Sequence, residues 1–108
     1  MEGTIVIDLA ALEDIPDPGV MSVRLDGHAI CLVRVGARVT AFPDECPHSG
    51  MPLSAGDVVR GCELECSWHG ARFDCATGAL RHGPAEEGLV PIPVRVVDGR
   101  VVADAPTP

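Results

Sequence analysis

Two short pairs of cysteine and histidine constrain this chain more than any other feature. Cys46-Pro47-His48 has the spacing C-x-H and Cys66-Ser67-Trp68-His69 has the spacing C-x-x-H, with 17 residues between the two pairs. Each pair offers one thiolate and one imidazole, and two sulfur plus two nitrogen donors can hold either a single zinc ion or an iron–sulfur cluster. Because 108 residues build only a modest core, metal binding would contribute to the folding free energy.

The charge of the chain limits its partners. The formal net charge is −8, and all eight basic residues are arginine. Such acidity argues against binding to nucleic acid, whose phosphates would be repelled, and it suits either simple solubility or docking on a basic face of a protein partner. No apolar run is long enough to span a bilayer and no signal peptide is recognisable. We therefore expect a cytoplasmic protein that binds neither nucleic acid nor membrane.

The remaining cysteines and histidines are predicted not to be ligands. Five cysteines is an odd number, which favours metal ligation plus buried thiols over a disulfide framework. Cys31 stands in an apolar run and is predicted to be buried. Cys62 and Cys75 flank the second pair and are the obvious substitute ligands. His28 and His82 have no suitably spaced partner.

The two ends of the sequence predict an antiparallel β framework. Asp26-Gly27 and Asp98-Gly99 are two-residue hairpin signals. Ala10–Ile15 is predicted to form a short helical turn that Pro16 ends. The predicted strands are Thr4–Leu9, Val20–Leu25, His28–Val35, Arg38–Phe42, Val94–Val97 and Arg100–Ala103.

The middle of the chain, residues 43–92, is richer in Gly and Pro and shows little alternation. Here the sequence predicts long loops with short strands at Leu64–Cys66 and Ala71–Phe73. The prediction is therefore an all-β fold in a single domain, 1–108, in which a metal-binding insertion partly replaces the core.

With their neighbours, the two pairs resemble the Rieske-type [2Fe–2S] proteins. The motifs are Cys46-Pro47-His48-Ser49-Gly50-x-Pro52-Leu53 and Cys66-Ser67-Trp68-His69-Gly70-Ala71-x-Phe73-Asp74, and Thr77-Gly78 and Gly83-Pro84 fit the same family. The resemblance covers about residues 20–103. It implies a Rieske-like antiparallel β framework with an inserted cluster-binding subdomain, about 43–92.

The resemblance also implies one [2Fe–2S] cluster. Cys46 and Cys66 would bind the buried iron, and His48 and His69 would bind the outer iron. Two Fe³⁺, two sulfides and two thiolates then sum to zero charge, whereas four thiolates would give −2, so this ligand set accepts an electron more readily than an all-cysteine cluster does.

Several neighbours of the ligands receive supporting roles from the same resemblance. Gly50 and Gly70 would let backbone approach closely, and Trp68 would pack beside the cluster. Gly83-Pro84, with Pro91 and Pro93, resembles the proline-rich loop that covers the cluster.

Two residues of the second motif bear on the reduction potential. High-potential family members carry hydroxyl side chains where this chain has Ala71 and Phe73, and they carry an additional disulfide between the two cluster loops. The lack of those hydroxyls predicts a potential at the low end of the Rieske range, near −150 mV.

The function implied by the resemblance is electron transfer. We expect the monomeric ferredoxin component of a bacterial ring-hydroxylating dioxygenase, an electron carrier and not itself an enzyme, because 108 residues leave no room for a large catalytic domain. Its partners would be a flavin-dependent reductase and a terminal non-haem iron oxygenase. One alternative is the small Rieske-like subunit of an assimilatory nitrite reductase. An alternative of another class is a zinc-stabilised interaction module.

Overall fold

The chain forms short antiparallel strands in three sheets. The computed structural model describes residues 4–25, 27–46, 52–59, 63–66, 70–83 and 88–106. Within these ranges there are ten strands and two short 3₁₀ helices, and every strand pairing is antiparallel. None of the described helices is long and apolar enough to cross a membrane. The all-β prediction is confirmed.

The middle sheet has the order β2-β3-β4, and it matches the predicted strands closely. Leu25 pairs with His28, so the predicted two-residue hairpin closes there, with Gly27 at a φ of +80°. Asp26, the other turn residue, lies outside the described residues. The strands are β2 (Gly19–Leu25), β3 (His28–Val35) and β4 (Arg38–Pro43).

The terminal sheet has the order β1-β10-β9 and consists of β1 (Thr4–Ala11), β9 (Arg95–Val97) and β10 (Arg100–Pro106). Asp98 and Gly99 have φ of +49° and +75°, the left-handed values that a two-residue hairpin of this kind requires.

The helical turn predicted over Ala10–Ile15 is shorter than expected. β1 continues through Ala11, which pairs with Arg100, and only Leu12–Asp14 forms a 3₁₀ helix. Pairing with β10 extends the strand at the expense of the helix.

The third sheet has the order β5-β6-β7-β8 and comprises β5 (Asp57–Val59), β6 (Glu63–Glu65), β7 (Arg72–Asp74) and β8 (Leu80–His82). The two strands predicted in this region are present but displaced by one residue. β5 and β8 were not predicted, because three residues of mixed polarity are too short to show a period.

The middle sheet separates two hydrophobic cores. Alternate residues of β3 point in opposite directions: Cys31 and Val33 lie in one core, whereas Ile30 and Leu32 lie in the other. The second core is completed by residues of the terminal sheet, such as Val101. The first core is completed by residues of β6, β7 and the loops around them, and it contains the cysteines of both sequence motifs.

Candidate metal centre

The first Cys/His pair lies in a loop that follows β4. We call residues 44–54 the first loop; the structure describes 44–46 and 52–54 of it. Cys46 is fully buried, with an exposed fraction of 0%. Leu53, which begins the second 3₁₀ helix (Leu53–Ala55), is also fully buried in the same core. Both ends of the first loop therefore pack into the interior.

One carboxylate joins the two ends of the first loop. Asp44 Oδ1 accepts a hydrogen bond of 2.7 Å from the backbone N–H of Ser54, and Oδ2 accepts one of 2.6 Å from the Ser54 hydroxyl. Asp44 Oδ2 also accepts a bond of 2.9 Å from the hydroxyl of Ser22 in β2. The backbone N–H of Asp44 donates to the carbonyl of Ala29 at 3.0 Å. The loop is thereby attached to the middle sheet.

The second Cys/His pair lies in the turn between β6 and β7. We call residues 66–71 the second loop; the structure describes Cys66, Gly70 and Ala71. The backbone N–H of Cys66 donates to the carbonyl of Ala71 at 2.8 Å, so main chain closes this loop. Gly70 has a φ of +74°, in the left-handed region where glycine is favoured.

A glycine brings the two loops together. Gly56 ends the second 3₁₀ helix, two residues after the first loop, and a Cβ built on it would lie 1.9 Å from the carbonyl oxygen of Glu65. Real Cβ atoms do not approach that closely, so only glycine fits. Because Glu65 is the residue before Cys66, this contact fixes the end of the first loop against the start of the second.

The two motif cysteines share one apolar environment. Cys46 and Cys66 are 0% and 1% exposed and belong to the same core, which also contains Ala71 and Phe73, each fully buried. Two soft sulfur donors in one dry core suit a buried iron or zinc and fit the inner half of a [2Fe–2S] site. His48 and His69 lie outside the described residues, as do Trp68, Gly50 and Cys62, so the four-ligand set stays a prediction.

The other described cysteines lie in the same core. Cys31 is fully buried as predicted, and burial, followed by the charge of Asp44 and then Cys75, raises the pKa of its thiol to about 12. A thiol with that pKa is protonated at neutral pH when no metal is bound. Cys75, directly after β7, is 4% exposed. Its burial in the same core keeps it a possible substitute ligand among the described residues.

The two remaining histidines are on the surface. His28 begins β3 and His82 ends β8, and both are exposed. Among the described residues, no group of three or more His, Cys, Asp or Glu side chains is arranged to hold a metal ion. In the described part of the chain, neither histidine lies among the further ligand side chains that a separate metal site would need.

A second carboxylate organises the turn after β7. Asp74 Oδ1 accepts from the backbone N–H groups of Ala76 and Thr77 at 2.8 and 3.0 Å, and Oδ2 accepts from Arg81 at 2.9 Å. The Arg81 hydrogen bond, followed by those two backbone bonds, lowers the pKa of Asp74 to about 2. This turn holds Gly78 against the following segment.

Gly78 explains part of the Thr-Gly motif. Its φ is +79°, and a Cβ on it would lie 2.4 Å from the carbonyl oxygen of Leu89. The backbone N–H of Leu89 donates to the Gly78 carbonyl at 2.7 Å. The segment around Leu89 thus packs against the first core, and the predicted cover at Gly83-Pro84 lies just before it, with Pro84 outside the described residues.

Sequence reasoning missed the two carboxylates as structural elements of the site. Asp74 enters the prediction only as part of a motif, although the pattern Asp-x-x-Thr-Gly after a strand signals a turn in which the carboxylate accepts backbone N–H bonds. Asp44 gave no comparable signal, because its partners Ser22 and Ser54 are 22 and 10 residues away.

Comparison with known proteins agrees with this geometry. A family model described as the Rieske [2Fe-2S] domain matches residues 6–97. The ferredoxin component of the p-cumate 2,3-dioxygenase system of Pseudomonas putida is 35% identical over 102 residues, covering 94% of this chain and 86% of that protein. The ferredoxin component of the naphthalene 1,2-dioxygenase/salicylate 5-hydroxylase systems of a Ralstonia species is 34% identical, covering 89% of this chain and 91% of that protein.

Solved structures give the same result. The complex of reduced oxygenase and oxidized ferredoxin in carbazole 1,9a-dioxygenase contains a chain that superposes with a TM-score of 0.81 at 29% identity, covering 93% of each chain. The family match spans most of the sequence and includes both Cys/His motifs. The chain belongs to the Rieske [2Fe-2S] domain family.

Proposed function

We propose that this protein is a one-electron carrier that passes electrons from a flavin-dependent reductase to a terminal non-haem iron oxygenase. It carries one [2Fe–2S] cluster and is an electron-transfer component, not a catalytic enzyme. The observation that supports this most directly is the resemblance, over nine-tenths of the chain, to ferredoxin components of dioxygenase systems. The burial of Cys46 and Cys66 in one core supports the same conclusion.

In this proposal Cys46 and Cys66 hold the inner iron as thiolates, and His48 and His69 hold the outer iron. The bound cluster supplies a site that accepts and releases a single electron. The surrounding apolar side chains, Phe73 and Ala71 among them, exclude water from the thiolate side. Residues 43–92 form the cluster-binding subdomain of the single domain 1–108.

The outer face of the third sheet supports an electrostatic contact with the partners. Asp57, Glu65 and Arg72 lie side by side across β5, β6 and β7, and Glu63 pairs with Asp74 in the next row. Side chains paired directly across strands lie on the same face. That face therefore carries four carboxylates, from Asp57, Glu63, Glu65 and Asp74, and two of them are ion-paired, Glu65 with Arg72 and Asp74 with Arg81. The net negative charge of this part of the subdomain would steer a basic partner surface towards it.

The two alternatives have less support. The relatives reported above are ferredoxin components of oxygenase systems, which favours an oxygenase partner over a nitrite reductase. The family match to the [2Fe-2S] domain disfavours a zinc module. A cytoplasmic, monomeric carrier completes the proposal, since such a carrier must meet both a reductase and an oxygenase.

The proposal is tested by electron transfer in stopped flow. The purified protein is mixed with NAD(P)H and the flavin reductase of a ring-hydroxylating dioxygenase system, and then with the terminal oxygenase of that system. We expect bleaching on the first mixing and recovery of absorbance on the second. Both rates should fall as ionic strength rises, because salt screens surface charge beyond about 8 Å near physiological strength.

Three outcomes would contradict parts of this proposal. A colourless protein that contains zinc would support the interaction module instead. Reoxidation by a sirohaem nitrite reductase but not by the oxygenase would support the other electron-transfer alternative. Rates that do not change between low and high salt would show that charge does not steer the encounter.

A further inference from the structure

Asp44 is a charged, hydrogen-bonded residue to which the proposed function gives no role. Its side chain is partly buried two residues before Cys46, and its two oxygens receive three hydrogen bonds from two separate elements. Ser22 belongs to β2 of the middle sheet, and Ser54 belongs to the 3₁₀ helix at the far end of the first loop. The carboxylate thus connects the entry of the loop, its exit and the sheet beneath it.

We propose that Asp44 is a positioning residue of the electron carrier: its hydrogen bonds hold together the two described ends of the first loop, beside the ligand Cys46, and its negative charge lowers the reduction potential. This inference rests on the proposed assignment of Cys46 and His48 as ligands. The hydrogen bonds govern how firmly the cluster is retained, whereas the charge governs the reduction potential. The two effects can therefore be measured separately.

The hydrogen bonds act on the loop that carries a ligand. Cys46 is two residues from Asp44, and Asp44 is bonded at both oxygens and at its backbone N–H. Separating the two described ends of the loop requires breaking its bonds to Ser54, which is next to the fully buried Leu53. Hydrogen bonds to a charged group are stronger than bonds between neutral groups.

The charge acts on the core that contains the sulfur ligands. Asp44 is two residues before Cys46, and both of its oxygens bond to Ser54, whose neighbour Leu53 is fully buried in the core of Cys46 and Cys66. A negative charge beside this core opposes addition of an electron there, because the electron adds negative charge to a medium of low dielectric constant. In agreement, the charge of Asp44 adds to the larger effect of burial in raising the pKa of the Cys31 thiol, which belongs to the same core.

Replacing Asp44 by asparagine separates the two effects. The side-chain oxygen of the introduced amide can still accept from the backbone N–H of Ser54, and its two N–H hydrogens can point at the hydroxyl oxygens of Ser22 and Ser54. Every group of the network then keeps a partner while the charge is lost. Conversely, Ser54→Ala removes one hydrogen bond and leaves the charge in place.

The experiment measures two quantities on the full chain with its cluster: the midpoint potential by protein-film voltammetry, and the rate of cluster loss in excess chelator by the decay of visible absorbance. For Asp44→Asn we expect the equilibrium constant for reduction to rise about tenfold, which is 59 mV for a one-electron couple. For Ser54→Ala we expect an unchanged potential and cluster loss at least about tenfold faster, as for one lost bond to a charged group of about 1.5 kcal/mol.

A matched control removes the same charge elsewhere. Asp104→Asn deletes an exposed carboxylate of β10, in the terminal sheet, where it is bonded to Arg95. A potential in Asp44→Asn equal to that of Asp104→Asn would overturn the role of the charge. Cluster loss in Ser54→Ala as slow as in the wild-type protein would overturn the role of the bonds. If Asp44→Asn does not fold, this second measurement alone decides the proposal.

These outcomes are distinct from failure of the proposed function. A wild-type protein that is colourless after loading with iron and sulfide would overturn the cluster assignment and this inference with it. A coloured protein that exchanges electrons normally, with Asp44→Asn and Ser54→Ala indistinguishable from it, would overturn this inference alone.

Discussion

The base of the first loop is joined by side chains, whereas the base of the second loop is joined by main chain. In the first loop the Asp44 carboxylate bonds to Ser54 across ten residues. In the second, the N–H of Cys66 bonds to the carbonyl of Ala71 as part of a hairpin. A main-chain bond survives any substitution that preserves the backbone, but a side-chain bond is lost with a single residue. The closure of the first loop is therefore the one that a single side-chain substitution can weaken.

The largest effect should be the same in both loops. We expect Cys46→Ser, Cys66→Ala and His69→Ala each to give colourless and poorly folded protein, because cluster binding is coupled to folding. Visible absorbance and iron content measure the loss. Cys75→Ser is the matched control, since Cys75 is buried in the same core, and it should keep its spectrum. A full cluster in Cys66→Ala would show that Cys62 or Cys75 is the ligand.

The next effect concerns the reduction potential, which we expect residues of the second loop and the strand after it to adjust. We expect a midpoint near −150 mV at pH 7, the low end of the Rieske range. Ala71→Ser with Phe73→Tyr should raise it by roughly 100 to 200 mV, if each new hydroxyl bond to the cluster adds about 1.5–2 kcal/mol and 59 mV corresponds to 1.4 kcal/mol. Both side chains are fully buried in the core of Cys46 and Cys66.

The control for that experiment is Ala79→Ser, which adds a hydroxyl at an exposed position and should leave the potential unchanged. A midpoint above about +100 mV in the unchanged protein would contradict the oxygenase-ferredoxin function. An unshifted double variant would show that residues 71 and 73 do not face the cluster.

The smallest effect concerns Asp74, a carboxylate that closes a turn as Asp44 closes a loop. Its pKa is lowered from 3.8 to about 2, so its contribution to the free energy of unfolding is full above pH 4 and is lost as the pH falls through about 2. Asp74→Asn should destabilise the protein by under about 1 kcal/mol at pH 7, as is usual for surface ion pairs.

Urea unfolding of both proteins at several pH values measures this difference, which should shrink below pH 4 and vanish near pH 2. Asp57→Asn, on β5 of the same sheet, controls for the change of net charge. A difference that stays constant from pH 7 to pH 2 would show that ionisation of Asp74 is not what stabilises the turn.

Local signals in the sequence predicted the framework well. The hairpins at Asp26-Gly27 and Asp98-Gly99 depend on neighbouring residues alone, and strands as long as β3 reveal their alternation. The strand β8 shows no such alternation, because its three residues form a strand through pairing with β7 and not through a pattern of their own.

The site was predictable only in part, for the same physical reason. The residue type and spacing of Cys46 and Cys66 predict that they bind metal, and the structure places both in one core. The bonds of Asp44 depend instead on which distant residues the fold brings near, and no short window of sequence contains that information. The four-ligand arrangement with His48 and His69 stays a prediction.

The contact between Gly56 and Glu65 has a consequence for moving this site into another protein. Main chain touches main chain there, so the spacing of the two loops is set by a junction that no side chain can replace. Transplanting the two motifs separately onto a new scaffold would lose that spacing. A graft should carry residues 44–74 as one continuous block, with glycine kept at position 56.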